Sequence, residues 1–158
     1  MKKRELFLAV LLFCFLSQSC TKSPNSKQSA NITIESGEIP PDMATEKFVL
    51  IGRLYQDESY DKYLVKEFDK YTGEKLLATD SDISDRYSDV NKYRYVLEYY
   101  TEKHGHTDMH GHHTSVSVKH FYIYDQKTAT VYKRNETSGF FAQQIRSYLS
   151  AIDAVRQK

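Results

Sequence analysis

The 158-residue chain has no tryptophan, three prolines, six glycines and two cysteines. Each shortage excludes something. Pro24, Pro40 and Pro41 all lie early, so nothing from Lys47 onward breaks a β-ladder by lacking an N–H. Charge of one sign is also missing. The 22 basic residues stand against 21 acidic ones and are interspersed with them, which leaves no long-range field to gather nucleic acid. There is no H-E-x-x-H, C-x-x-C or G-x-S-x-G, no glycine-rich phosphate loop and no dinucleotide fingerprint. An enzyme would need a constellation assembled from distant positions. Glu67, Asp89 and Glu98 offer carboxylates whose separation nothing in the sequence fixes, so a non-enzymatic role is the expectation.

Long apolar runs are scarce as well. The eleven residues from Leu6 to Leu16 follow Lys2, Lys3 and Arg4 and precede Ser17-Gln18-Ser19-Cys20. Crossing ~30 Å of hydrocarbon as a helix takes ~20 apolar residues, so this run is too short for a permanent span and has the three-part layout of a secretory signal. It resembles the signal of bacterial lipoproteins, in which the cysteine after the cleavage site is acylated and becomes the first mature residue. The resemblance covers residues 1–20. It implies export, a multiply acylated (palmitate-type) Cys20 and a membrane anchor. Thr21, where inner-membrane retention would call for Asp, implies an outer-membrane site facing the periplasm. More than one chain is required physically, because each buried methylene contributes only ~0.8 kcal/mol and a single chain holds marginally. Ser17 and Ser19 also satisfy small-x-small signal cleavage, which would cut the same bond and leave Cys20 unmodified. Either cut removes Cys14. Cys20 is then the sole cysteine, no internal disulfide can form, and stability must come from a buried core.

Three segments follow from these observations: a signal over 1–19, a lipid-anchored flexible tether over 20–46, and an α+β domain over 47–158. The tether is polar and holds every proline; its 26 residues after Cys20 would span on the order of 28 Å as a coil. Within it, Ile32 and Ile34 alternate with polar neighbours and can add an edge strand.

In the domain, Lys47–Tyr55 is a candidate first strand, although its apolar positions suit a helix face equally well. Tyr63–Phe68 and Lys75–Thr79 flank the turn Asp69-Lys70-Tyr71-Thr72-Gly73 and predict a hairpin; Phe121–Tyr124 and Ala129–Lys133 about Asp125–Thr128 predict another. Tyr93, Tyr95, Leu97 and Tyr99 alternate with Arg94, Val96 and Glu98 as a strand does, with a partner beginning at Val116 and Val118. Phe141, Ile145, Tyr148, Leu149, Ile152 and Val155 recur at helical spacing. The expected fold is an antiparallel β-meander of about five strands packed by a C-terminal helix. Asp80 and Asp82 open like a calcium loop, but Asp85 stands where the sharp turn needs Gly and Asn91 where a bidentate Glu belongs. A loop or capped helical turn is expected there instead. Thirteen tyrosines, among them Tyr122, Tyr124 and Tyr132 on proposed strands, can pack amphipathically or line a face that stacks on sugars or grips a peptide.

One cluster carries sharper chemistry: His104-Gly105-His106-Thr107-Asp108-Met109-His110-Gly111-His112-His113. With Thr107, Asp108 and Met109 as the loop of a hairpin, His106 faces His110 and His104 faces His112. All four imidazoles then share one side, ~4.5 to 5.5 Å apart at Cβ. Zinc, copper and nickel all accept such ligands, with Asp108, His113 and His120 in reserve as ligands or second-layer partners. A polar, solvated loop tip with no metal role explains the same residues, and a three-residue loop lacks the glycine it usually wants. The function expected is a non-enzymatic envelope lipoprotein binding a ligand or partner, such as an envelope protein or glycan. A transition-metal binder built on the His-rich hairpin is the alternative, and an enzyme with a non-local site stays open as a third.

Overall fold

In the computed structural model, residues 32–133 and 140–157 are described; the signal segment and Cys20 lie outside them. The order along the chain is β1 (Leu50–Leu54), α1 (Glu58–Phe68), β2 (Lys75–Thr79), α2 (Asp80–Arg86), β3 (Tyr95–Thr107), β4 (His113–Asp125), β5 (Thr130–Lys133) and α3 (Phe141–Arg156), with a short 3-10 turn at Pro41–Ala44. The five strands form one sheet in the order β2-β1-β3-β4-β5. The fold is α+β, with the C-terminal helix against the sheet, as expected. The sheet is mixed, not a pure antiparallel meander: β1 runs parallel to both β2 and β3, and only the β3–β4 and β4–β5 pairs are antiparallel.

The difference originates at Tyr63–Phe68, which is helical where a strand was expected. Tyr60, Leu64, Glu67 and Phe68 fall at helical spacing, and Leu64, Glu67 and Phe68 are buried. Asp57 caps the helix by accepting the Ser59 N–H at 3.0 Å. A window opened at Tyr63 misses that cap and the first turn. With a helix between them, β1 and β2 have the long crossover that parallel pairing requires. Gly52 at the centre of β1 permits the close approach of α1: a Cβ there would lie 2.6 Å from the Phe68 ring and 2.7 Å from Leu77.

One sheet face, carrying Leu50, Tyr95, Leu97, Tyr99, Phe121 and Ile123, is covered by α1 and α3. Ile145, Tyr148, Leu149, Ile152 and Val155 of α3 are buried, so the helical spacing marked its core face correctly. Residues 32–46 join this layer, where a flexible tether was expected. Ile32, Ile39 and Met43 are buried in the same core, and the chain at Ile32–Ile34 forms turns, not an edge strand. A polar composition concealed them, because three apolar side chains and one ionic anchor suffice. That anchor is Arg94, which donates to Asp42 and Glu46 at 2.6 Å each and to the fully buried Asp125 at 2.8 and 3.0 Å. Burial alone would raise the Asp125 carboxyl; the bonds and charge of Arg94, with bonds from Thr128 and the Lys127 N–H, together outweigh it and hold the pKa below its usual value.

The other face is only partly covered. The seven-residue α2, capped by Thr79 in a reciprocal box with Asp82, packs Ile83 on Ile51, Ala78 and Val96. This is the capped helical turn expected in place of a calcium loop. Among the described residues, no further helix covers that face.

Candidate metal centre

Pairing explains why β3 and β4 leave the body. β1 contacts β3 only as far as Leu97, and β5 contacts β4 only from Tyr122 to Asp125. Beyond these points the two long strands continue alone as a ribbon, exposed from Tyr100 to Ser117 and about 24 Å long from Tyr100 to Thr107. Period-two alternation puts Glu98, Tyr100, Glu102, His104 and His106 on the open face, with Tyr122, His120, Val118, Val116 and Thr114 opposite them.

The expected hairpin is present, in a different register. Thr107 pairs with His113, leaving a five-residue loop from Asp108 to His112 in place of the three-residue loop. His104 therefore faces Val116, not His112, and His106 faces Thr114, not His110. The loop is set by Asp108 and Gly111. Asp108 Oδ1 accepts the N–H groups of His110 and His112 at 2.8 and 2.9 Å, Oδ2 lies 3.0 Å from His112 Nδ1, and Gly111 takes a φ of +80°. These bonds, the His112 N–H first, hold the Asp108 carboxyl below its usual pKa. His110 and His112 sit in the loop, and His113 lies on the opposite face, bonded through Nδ1 to Thr107 Oγ1 at 2.8 Å. The four-histidine convergence expected from the sequence does not form.

A different set does converge. The ligand atoms of Glu102, His104 and His120 all lie within 4.8 Å of one another. Glu102 Oε2 is 3.1 Å from His120 Nε2 and 3.8 Å from His104 Nε2. Ligand atoms around a four-coordinate zinc with ~2.0 to 2.1 Å bonds stand roughly 3.3 Å apart, so small rotamer shifts would close the site. His120 is 9% exposed and its Nε2 is buried without a hydrogen bond, the approach of Glu102 being close but misaligned for one. An imidazole nitrogen left in that condition is costly unless something else engages it. Tyr100 stacks on the His120 ring, centroids 4.8 Å apart and planes 9° from parallel, which fixes the ring's orientation.

Of the residues singled out in the sequence, His104 and the reserve ligand His120 belong to the trio. His106 is next to His104 on the same face, and Asp108, His110, His112 and His113 form the tip and the opposite side. Glu102 was missed. Its signal is its position two before His104, which guarantees a shared face, and diagonal to His120 across the strand pair.

Nearer the body the open face holds a cavity of about 410 Å³ bounded by Arg53, Asp80, Ile83, Glu98, Tyr122 and Tyr124. Arg53 Nη1 and the Tyr122 hydroxyl both donate to Glu98 Oε2, at 2.9 and 2.8 Å. Burial and the neighbouring Glu98 together push the Tyr122 hydroxyl well above its usual pKa. Tyr122 and Tyr124 are half-buried on this face, while Tyr95 and Tyr99 are buried on the other. Amphipathic packing of tyrosines on both faces of the sheet is therefore present. No helix among the described residues is long and apolar enough to cross a membrane. No family model matches the chain, and the comparisons with curated proteins and with solved structures find no match.

Proposed function

We propose that this chain is an exported, lipid-anchored envelope protein that binds a divalent transition metal through Glu102, His104 and His120 on a projecting β-ribbon. The observation that carries the metal reading is the convergence of three ligand atoms of suitable type, one of them a buried imidazole nitrogen with no hydrogen bond. Two imidazoles and one carboxylate suit zinc, copper or nickel more than calcium or magnesium, which take all-oxygen sets. The anchor reading rests on the signal-like segment ending at Cys20.

Competition titration with a chromophoric zinc chelator tests the site. Glu102→Gln, His104→Ala and His120→Ala should each weaken zinc by about tenfold or more, since even outer-layer changes cost ~10 to 100-fold. His113→Ala, on the opposite face, should leave affinity unchanged. Equal affinity in all four variants would place the metal elsewhere. Intact mass of the membrane-extracted protein tests acylation of Cys20 separately.

A further inference from the structure

Three protein ligands do not complete a transition-metal site. A tetrahedral ion bound by Glu102, His104 and His120 keeps a fourth position, and the side chains of Glu102 and His104 are 49% and 58% exposed, so that position faces solvent. What surrounds it on the open face is informative. Lys133 on β5 pairs directly with Tyr122, so its side chain emerges on the same face as the trio. Its ammonium lies 5.9 Å from the centre of the Tyr100 ring, the ring that stacks on His120. Lys133 has no carboxylate partner among the ion pairs of the described residues. The two other lysines nearest along the ribbon, Lys103 and Lys119, fall on the opposite face by register.

The trio supplies a single negative charge, that of Glu102, against the two positive charges of the ion. A metal bound here carries a net positive charge, with a second cation beside it. Resting on the metal reading above, we propose that the bound metal keeps its fourth position for a small anion bearing an oxygen donor, a carboxylate or phosphate, and that Lys133 holds the far side of that anion. Binding exchanges a metal-bound water for the anion's oxygen, with no bond made or broken elsewhere. Lys133 acts as a positioning residue. Among the described residues, His106, next along the same face, is the imidazole nearest in register to compete for that position.

Cobalt(II) substituted into the full-length protein reports the coordination number and ligand set through its visible bands. Titration with azide as spectroscopic probe, then with acetate and phosphate in competition, should give a saturable spectral change. A unit charge facing the anion through half-exposed, solvent-screened surroundings contributes about fivefold. Lys133→Ala should therefore weaken azide about fivefold while leaving cobalt affinity unchanged or slightly tighter, and Lys133→Arg should restore azide binding. Cobalt bound with a spectrum indifferent to azide would overturn the anion site and leave the metal reading standing. If azide acts only in His106→Ala, the fourth position belongs to His106 and the proposal is overturned. Equal azide affinity in Lys133→Ala would remove Lys133 from it. Absence of cobalt binding would overturn the metal reading and this inference with it.

Discussion

Glu67 offers a stability test whose direction with pH is fixed by the structure. Its carboxylate, 2% exposed, takes a forked pair of bonds from Arg146 on α3, at 2.8 and 3.0 Å, and one from Lys70 at 2.8 Å. The Arg146 bonds, with Lys70 and against the opposing effect of burial, hold its pKa down at about 2 from an ordinary 4.5. A carboxylate lowered by folding stabilises the native state fully above its unfolded pKa and progressively less as pH falls toward the folded one. The full shift corresponds to about 3 kcal/mol. Because Arg146 is 43% exposed and Lys70 55%, solvent screening reduces this to roughly 1 to 2 kcal/mol. Urea denaturation of wild type and Glu67→Gln should therefore differ by that amount at pH 7, and the gap should shrink by more than half at pH 3. A gap of equal size at both pH values, or none at pH 7, would refute the assignment.

Arg94→Gln leaves the fully buried Asp125 carboxylate without its cation and should cost about 3 to 5 kcal/mol in urea melts, with residues 32–46 becoming sensitive to limited proteolysis. Gly52→Ala forces a methyl against Phe68 and Leu77 and should lower the unfolding free energy by about 1 to 3 kcal/mol, read in the same melts. The double change His110→Ala with His112→Ala should leave zinc affinity within about twofold of wild type, because neither residue belongs to the trio; a tenfold loss in the titration would move the site to the tip.

How much of this was legible in sequence depended on whether the deciding interactions were local. Helix α3 was, because its apolar stripe repeats over sixteen residues and packs as a single face. The β4–β5 hairpin was too, its turn residues lying between two apolar runs. The parallel pairing of β1 was not, since the alternation within a strand says nothing about its neighbours' direction, and reading Tyr63–Phe68 as a strand, five residues after the start of α1, converted a crossover into a turn. The core role of residues 32–46 depends on Arg94, some 50 residues away, reaching Asp42 and Glu46. At the site, the face shared by His104 and His106 was readable from spacing alone. The register was not, because it turns on the three donors gathered by Asp108 and the positive φ of Gly111. All six histidines of the chain nevertheless lie in the ribbon, which is why attention fell on the right hairpin.

X-ray absorption at the zinc edge of the loaded full-length protein tests the central claim most directly. The trio predicts two imidazole nitrogens and one carboxylate oxygen, with a fourth light atom from solvent or an anion. A spectrum with three or more imidazoles, or zinc that fails to remain with the protein through gel filtration, would contradict it.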